Sequence, residues 1–181
     1  MPSNLHVTTA MVWACTSILF VLDGLLAILV GHSVNRRQFY KLRYKLSLVS
    51  GVFFLLVWAS VMLWAWDWFY VYIFPSWARF ALPLLFTVGY GLLALGMGWL
   101  SLKLPFNPAV TWCILGGLEG LLSHLYAIYG LGAASKPPII QGVDPFAVLI
   151  FAIFEKAFYW SLILLGCLLV SQWSHRKMVK I

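Results

Sequence analysis

The stretch Phe146-Ala-Val-Leu-Ile-Phe-Ala-Ile-Phe-Glu155-Lys156-Ala-Phe-Tyr159-Trp-Ser-Leu-Ile-Leu-Leu-Gly-Cys-Leu-Leu-Val-Ser171 decides the fold. It stays apolar for longer than the roughly 20 residues a helix needs to cross hydrocarbon, and one Glu-Lys pair interrupts it. Four stretches of similar character precede it, at about residues 8–31, 46–66, 80–102 and 109–131. Over the 181 residues, 63% are hydrophobic and 9% charged, and the mean hydropathy is +0.94. A water-soluble domain has no way to hide that much apolar surface. The expected fold is an all-α, polytopic membrane helix bundle of about five transmembrane helices, with residues 1–181 forming one domain.

Charge placement sets the expected orientation. The formal net charge is +7, but the cations gather at the ends of apolar stretches rather than along a basic face, so nucleic acid is not an expected partner. The densest group lies in His32–Lys45, with Arg36, Arg37, Lys41, Arg43 and Lys45; Lys103 and the tail residues Arg176, Lys177 and Lys180 fall on the same side of a five-span chain. Arg79 and Lys136 fall on the other side. The positive-inside rule then places the N-terminus outside and the C-terminus in the cytoplasm, as in a plasma (inner) membrane protein. The basic run reads as a cytoplasmic loop beside anionic headgroups, with the bilayer as its partner. Met1-Pro-Ser-Asn-Leu-His6 lacks the basic start of a secretory signal, so the first span is expected to stay. Cys15, Cys113 and Cys167 all lie in apolar stretches and carry no redox information.

Two stretches shape the bundle. Trp64-Ala-Trp66-Asp67-Trp68-Phe-Tyr70-Val-Tyr72-Ile-Phe-Pro75-Ser-Trp77 is an aromatic run at the expected outer interface, broken by Pro75, and could act as a lid over a lipophilic small molecule. Along the third span, Gly89 with Gly96, and Gly91 with Ala94 and Gly98, form two small faces that permit close helix packing.

Chemistry concentrates in Gly116-Gly-Leu-Glu119-Gly120-Leu-Leu-Ser123-His124 and in Phe154-Glu155-Lys156. An ionisable side chain at mid-membrane costs about 2.5 kcal/mol or more unless it is paired or hydrated, so each such group needs a reason. At about 100° per residue, Gly116, Gly120, Ser123, Ala127 and Gly130 share one small face, and Glu119 and His124 flank it. Counted in from the outer ends of an antiparallel pair, His124, Glu155, Lys156 and Glu119 fall within one depth band. Glu155 is placed to sit between His124 and Glu119, with Tyr159 one turn further on as a hydrogen-bond donor. Lys156, about 100° around the helix, is expected to face another neighbour or to snorkel outward. Asp23 in the first span and Asp67 in the aromatic run are secondary candidates.

Two carboxylates brought together in a low dielectric cannot both stay charged without a cation, so this set suits holding a proton, a cation or a small lipophilic ligand. A metal centre is not expected: Glu119 and His124 are splayed rather than in the Glu-x-x-His register of bundle metal sites. No cofactor fingerprint of the G-x-x-x-x-G-K-[ST], H-E-x-x-H or C-x-x-C kind is present, so the cofactor is left unknown. Three readings follow: a protein that binds or translocates a proton, cation or lipophilic ligand; a non-catalytic subunit of a larger membrane complex; or an enzyme that turns over a lipophilic substrate with a Glu/Glu/His acid-base set.

Overall fold

A computed structural model describes residues 6–178, with side chains over residues 6–171. Among the described residues the chain is all helical. The long elements are α1 (Thr9–Ser33), α2 (Arg36–Phe53), α3 (Ala59–Trp64), α4 (Ala78–Lys103), α5 (Pro108–Leu125) and α6 (Pro145–Met178). A wide π-helical turn, Phe54–Trp58, joins α2 to α3 into one rod, and a second, Tyr126–Gly130, extends α5. Four helices are long and apolar enough to cross a membrane: Thr9–Ser33, Arg36–Trp64, Ala78–Lys103 and Pro145–Ser171. The α5 rod runs beside them, its hydropathy diluted by Glu119, His124 and its glycines.

Local chemistry starts α1, α2 and α5. Thr8 caps α1 by accepting from the Met11 amide at 3.3 Å. Asn35 and Gln38 form a reciprocal capping box that opens α2. Asn107 accepts from the Ala109 and Val110 amides, Pro108 takes the first helical position, and the Asn107 amide donates to the Gly31 carbonyl at 3.0 Å, tying the start of α5 to the end of α1. Arg36 spreads its guanidinium over the chain leaving α4, donating to the carbonyls of Leu102 (2.6 Å), Leu104 (2.7 Å) and Phe106 (3.2 Å). At the opposite end, the Val7 amide donates to Ile139 and the Asp144 amide to Thr9, so the α5–α6 connector folds back on the start of α1.

One boundary differs from the sequence reading. The basic run His32–Lys45 is not a loop: only Val34 and Asn35 separate α1 from α2, and Arg36 onward is helical. Hydropathy marks where hydrocarbon ends, whereas the capping box marks where the helix begins. The proline-rich connector after Gly132 also holds a short 3-10 turn, Pro138–Ile140.

The centre of the bundle is α6, with 44% of its apolar window buried against 11% for α1. It packs most closely on α5 and also meets α1 and α2, while α4 pairs mainly with α2. Glycine makes the α5–α6 approach possible: a Cβ at Gly120 would run into the Ala152 carbonyl and the Lys156 stem, and one at Gly116 into the Trp160 indole. Of the two small faces on α4, the Gly91, Ala94, Gly98 face is the packed one. Ala94 is fully buried, and a Cβ at Gly91 would lie 3.5 Å from the Ser47 carbonyl, whereas Gly89 and Gly96 have open space around them. The apolar core, built on Val30, Phe39, Leu46, Trp112, Trp160 and Leu164, fills the half of the bundle nearer the basic end.

Candidate functional site

Above that core the helices converge on Lys156, which is 6% exposed. Its Nζ donates to the Tyr90 hydroxyl at 3.0 Å. It lies 4.4 Å from the centre of the Trp58 ring, 5.3 Å from Tyr90 and 5.4 Å from Tyr159, so three π faces replace part of the lost hydration of the ammonium. The Glu155 carboxylate stands 3.8 Å from Nζ. The π-turn before α3 delivers Trp58 to this spot, and a wide turn of this kind is a frequent way to re-aim a side chain at a functional position.

Tyr90 carries the interaction across to α5. Its hydroxyl donates to Glu119 Oε1 at 3.3 Å, while the Trp160 indole N–H donates to Glu119 Oε2, also at 3.3 Å. Both donors are held by their rings. Tyr90 stacks between Phe54 (4.4 Å) and Trp160 (5.7 Å), and the Trp160 backbone carbonyl accepts from the Trp112 indole at 2.8 Å. The result is a relay from ammonium to phenol to carboxylate on three different helices, set in an aromatic wall.

The aromatic run between α3 and α4 divides. Trp66 is 2% exposed and stacks on Tyr70, which stacks in turn on Phe74, whereas Trp64 and Trp77 face outward. Burial pushes the Tyr70 hydroxyl above the usual phenol range, with the Lys156 ammonium pulling it back and the Glu155 carboxylate adding to the rise.

The candidates read from sequence separate as follows. Glu119 and Glu155 both belong to the Lys156 cluster, and no hydrogen bond or ion pair joins them to each other or to His124 among the described residues. His124 turns back on its own helix, with Nδ1 3.0 Å from the Gly120 carbonyl and 3.3 Å from Ser123 Oγ. Tyr159 contributes its ring to the cage, and its buried hydroxyl has no hydrogen-bond partner among the described residues. Asp67 pairs with Arg79 at 3.5 Å on the exposed turn. Asp23 lies on α1, away from the cluster, beside crevices described below.

Lys156 takes the first of its two expected courses, facing other neighbours, Tyr90 and Trp58. It neither snorkels nor leaves the site; it is the hub, because Gly120 gives its stem a place to lie against α5. Sequence reasoning also missed Tyr90, Trp58 and Trp160. The signal was there: each sits near the middle of its apolar stretch, where an aromatic ring with a polar handle is out of place, since Trp and Tyr ordinarily gather at the interfaces. Among the described residues, no three His, Cys, Asp or Glu side chains converge as a metal-ligand set. Compared with protein-family models, curated proteins and solved structures, the chain finds no match.

Proposed function

We propose that the chain is a five-span membrane protein, N-terminus outside and C-terminus in the cytoplasm of a plasma (inner) membrane, whose Lys156 cluster holds and passes a proton. The observation that carries this is the gathering of two carboxylates on one buried ammonium, Glu155 directly and Glu119 through the Tyr90 phenol. Full ionisation leaves one negative charge in surplus, and hydrocarbon disfavours a net charge. Glu119 already accepts from Tyr90 and Trp160, whereas Glu155 has only the ammonium at 3.8 Å, so the extra proton belongs on Glu155. For that proton to move on, the Lys156 ammonium first gives a proton to Tyr90 as Tyr90 gives its own to Glu119, and the amine so formed takes the proton from Glu155. The ammonium occupies the aromatic cage, which argues against a foreign cation there.

Infrared difference spectroscopy on the protein in vesicles, across a pH step, tests the reading. A protonated-carboxyl band that appears on acidification and is lost in Glu155→Gln, with folding retained, is expected. No such band, or one untouched by Glu155→Gln, would remove the proposal.

A second reading, a subunit of a larger membrane complex, draws on α1, whose outward side chains are largely exposed, and on the open Gly89–Gly96 face of α4. Cross-linking in native membranes should then trap a second polypeptide. Isolation of a stable monomer alone in mild detergent would discard it.

A further inference from the structure

We infer that Asp23 anchors a second site, separate from the Lys156 cluster, for a lipophilic amine that arrives from the bilayer as the free base. The inference stands on geometry that the proton reading does not use. Asp23 lies past the middle of α1, and both its carboxylate oxygens are buried with no hydrogen-bond partner. Two open crevices of about 380 and 450 Å³ meet at Asp23, Ala27 and Phe154. The smaller runs between α1, α5 and α6 and is lined there by Leu118, Leu121 and Ala157. Its other polar wall atoms are spoken for, since the Ser161 hydroxyl donates to Cys113 Sγ at 3.0 Å. Phe154, Ala157 and Ser161 share the α6 face turned to this crevice, whereas Lys156 meets Trp58 in the π-turn and Tyr90 on α4, so the buried ammonium cannot serve Asp23.

The chemistry of the occupant follows. A lone ionised carboxylate at this depth is costly, and a neutral acid there still lacks an acceptor for its O–H. An uncharged amine crosses hydrocarbon readily. On contact, the proton moves from the Asp23 carboxyl to the amine nitrogen and no other bond changes, giving a carboxylate and an alkylammonium as a contact pair. Both charges are created together, so neither crosses the lipid alone. The apolar walls take the alkyl body, and the crevice volume falls in the range of small-molecule sites. A quaternary ammonium cannot accept the proton and would have to bring its charge unpaired.

The test uses the full chain in lipid nanodiscs, with N,N-dimethyldodecylamine as probe and dicyclohexylcarbodiimide, which modifies protonated carboxyls reachable from hydrocarbon, as reporter. Peptide mapping should find the carbodiimide on Asp23, and saturating amine should slow that modification at least tenfold, while dodecyltrimethylammonium should not. Native mass spectrometry should show one bound amine that is lost in Asp23→Asn and kept in Asp23→Glu. Ala27→Phe, which keeps the acid but fills the junction of the two crevices, should weaken protection at least tenfold. Equal protection by the quaternary compound, an unmodified Asp23, or full amine binding in a folded Asp23→Asn would each overturn the inference. Should Asp23→Asn fail to fold, the wild-type protection experiment decides alone.

Discussion

Lys156 and Glu119, on adjacent helices, are tied together through one phenol, the Tyr90 hydroxyl, which accepts from the ammonium at 3.0 Å and donates to the carboxylate at 3.3 Å. Tyr90→Phe keeps the ring between Phe54 and Trp160 but cuts both bonds. Hydrogen bonds to charged groups are each worth about 1.5–3 kcal/mol, so a loss of at least ~2 kcal/mol is expected. Denaturant unfolding in mixed micelles, followed by tryptophan fluorescence, measures it. A loss below ~0.5 kcal/mol would show that the phenol does not carry the link.

Removing the ammonium should be worse. Lys156→Met leaves two buried acids without their cation, a kind of change that costs about 3–5 kcal/mol. Adding Glu119→Gln and Glu155→Gln to Lys156→Met should recover most of that loss, because the unpaired charges then go too. A triple variant no more stable than the single one would mean that the cage, not the charge pairing, is what Lys156 supplies.

Glycine substitutions should sort by the space around them. Gly120→Ala forces α5 away from the Ala152 carbonyl and should cost about 1–3 kcal/mol or more, as overpacking does. Gly96→Ala has open surroundings and should be neutral or stabilising by up to ~1 kcal/mol through helix propensity. The same unfolding assay ranks them, and equal effects would contradict the close contact of α5 with α6.

Arg36 is positioned to protect the turn after α4. Arg36→Ala releases three carbonyls between Leu102 and Phe106, so trypsin should cut after Lys103 several-fold faster. In sealed vesicles the cut should appear only when the cytoplasmic face is outward, which tests the proposed orientation in the same experiment. Cleavage from the opposite face would reverse it.

The helices were legible because their signals are local: long apolar runs, Asn107-Pro108 at one start, Pro75 in one break. The end of α1 was less so, since Arg36 to Lys45 are polar yet helical, and hydropathy reports solvent rather than backbone. The site was half legible. Glu119, Glu155 and Lys156 stand out as charges in apolar sequence, but their partners depend on how four helices rotate about their axes. A wheel drawn on α5 and α6 alone pointed Glu155 at Glu119 and turned Lys156 away. The extra partners, Tyr90 on α4 and Trp58 at the end of the wide turn, shift the balance to the lysine. His124 looked available in sequence because the carbonyl one turn back on its own helix, which takes Nδ1, is invisible there.

That wide turn has a genetic corollary. Phe54–Trp58 accommodates one residue more than regular α-helical geometry would, and every side chain after it is swung by about 100°. Leu55, Leu56 and Val57 are lipid-facing and individually replaceable by other apolar residues, so substitutions there should pass unnoticed. Loss of a single codon would not, because it would swing Trp58, Ala59 and Met62 off their contacts at a stroke. In this segment, inheritance must preserve the number of residues more strictly than their identity.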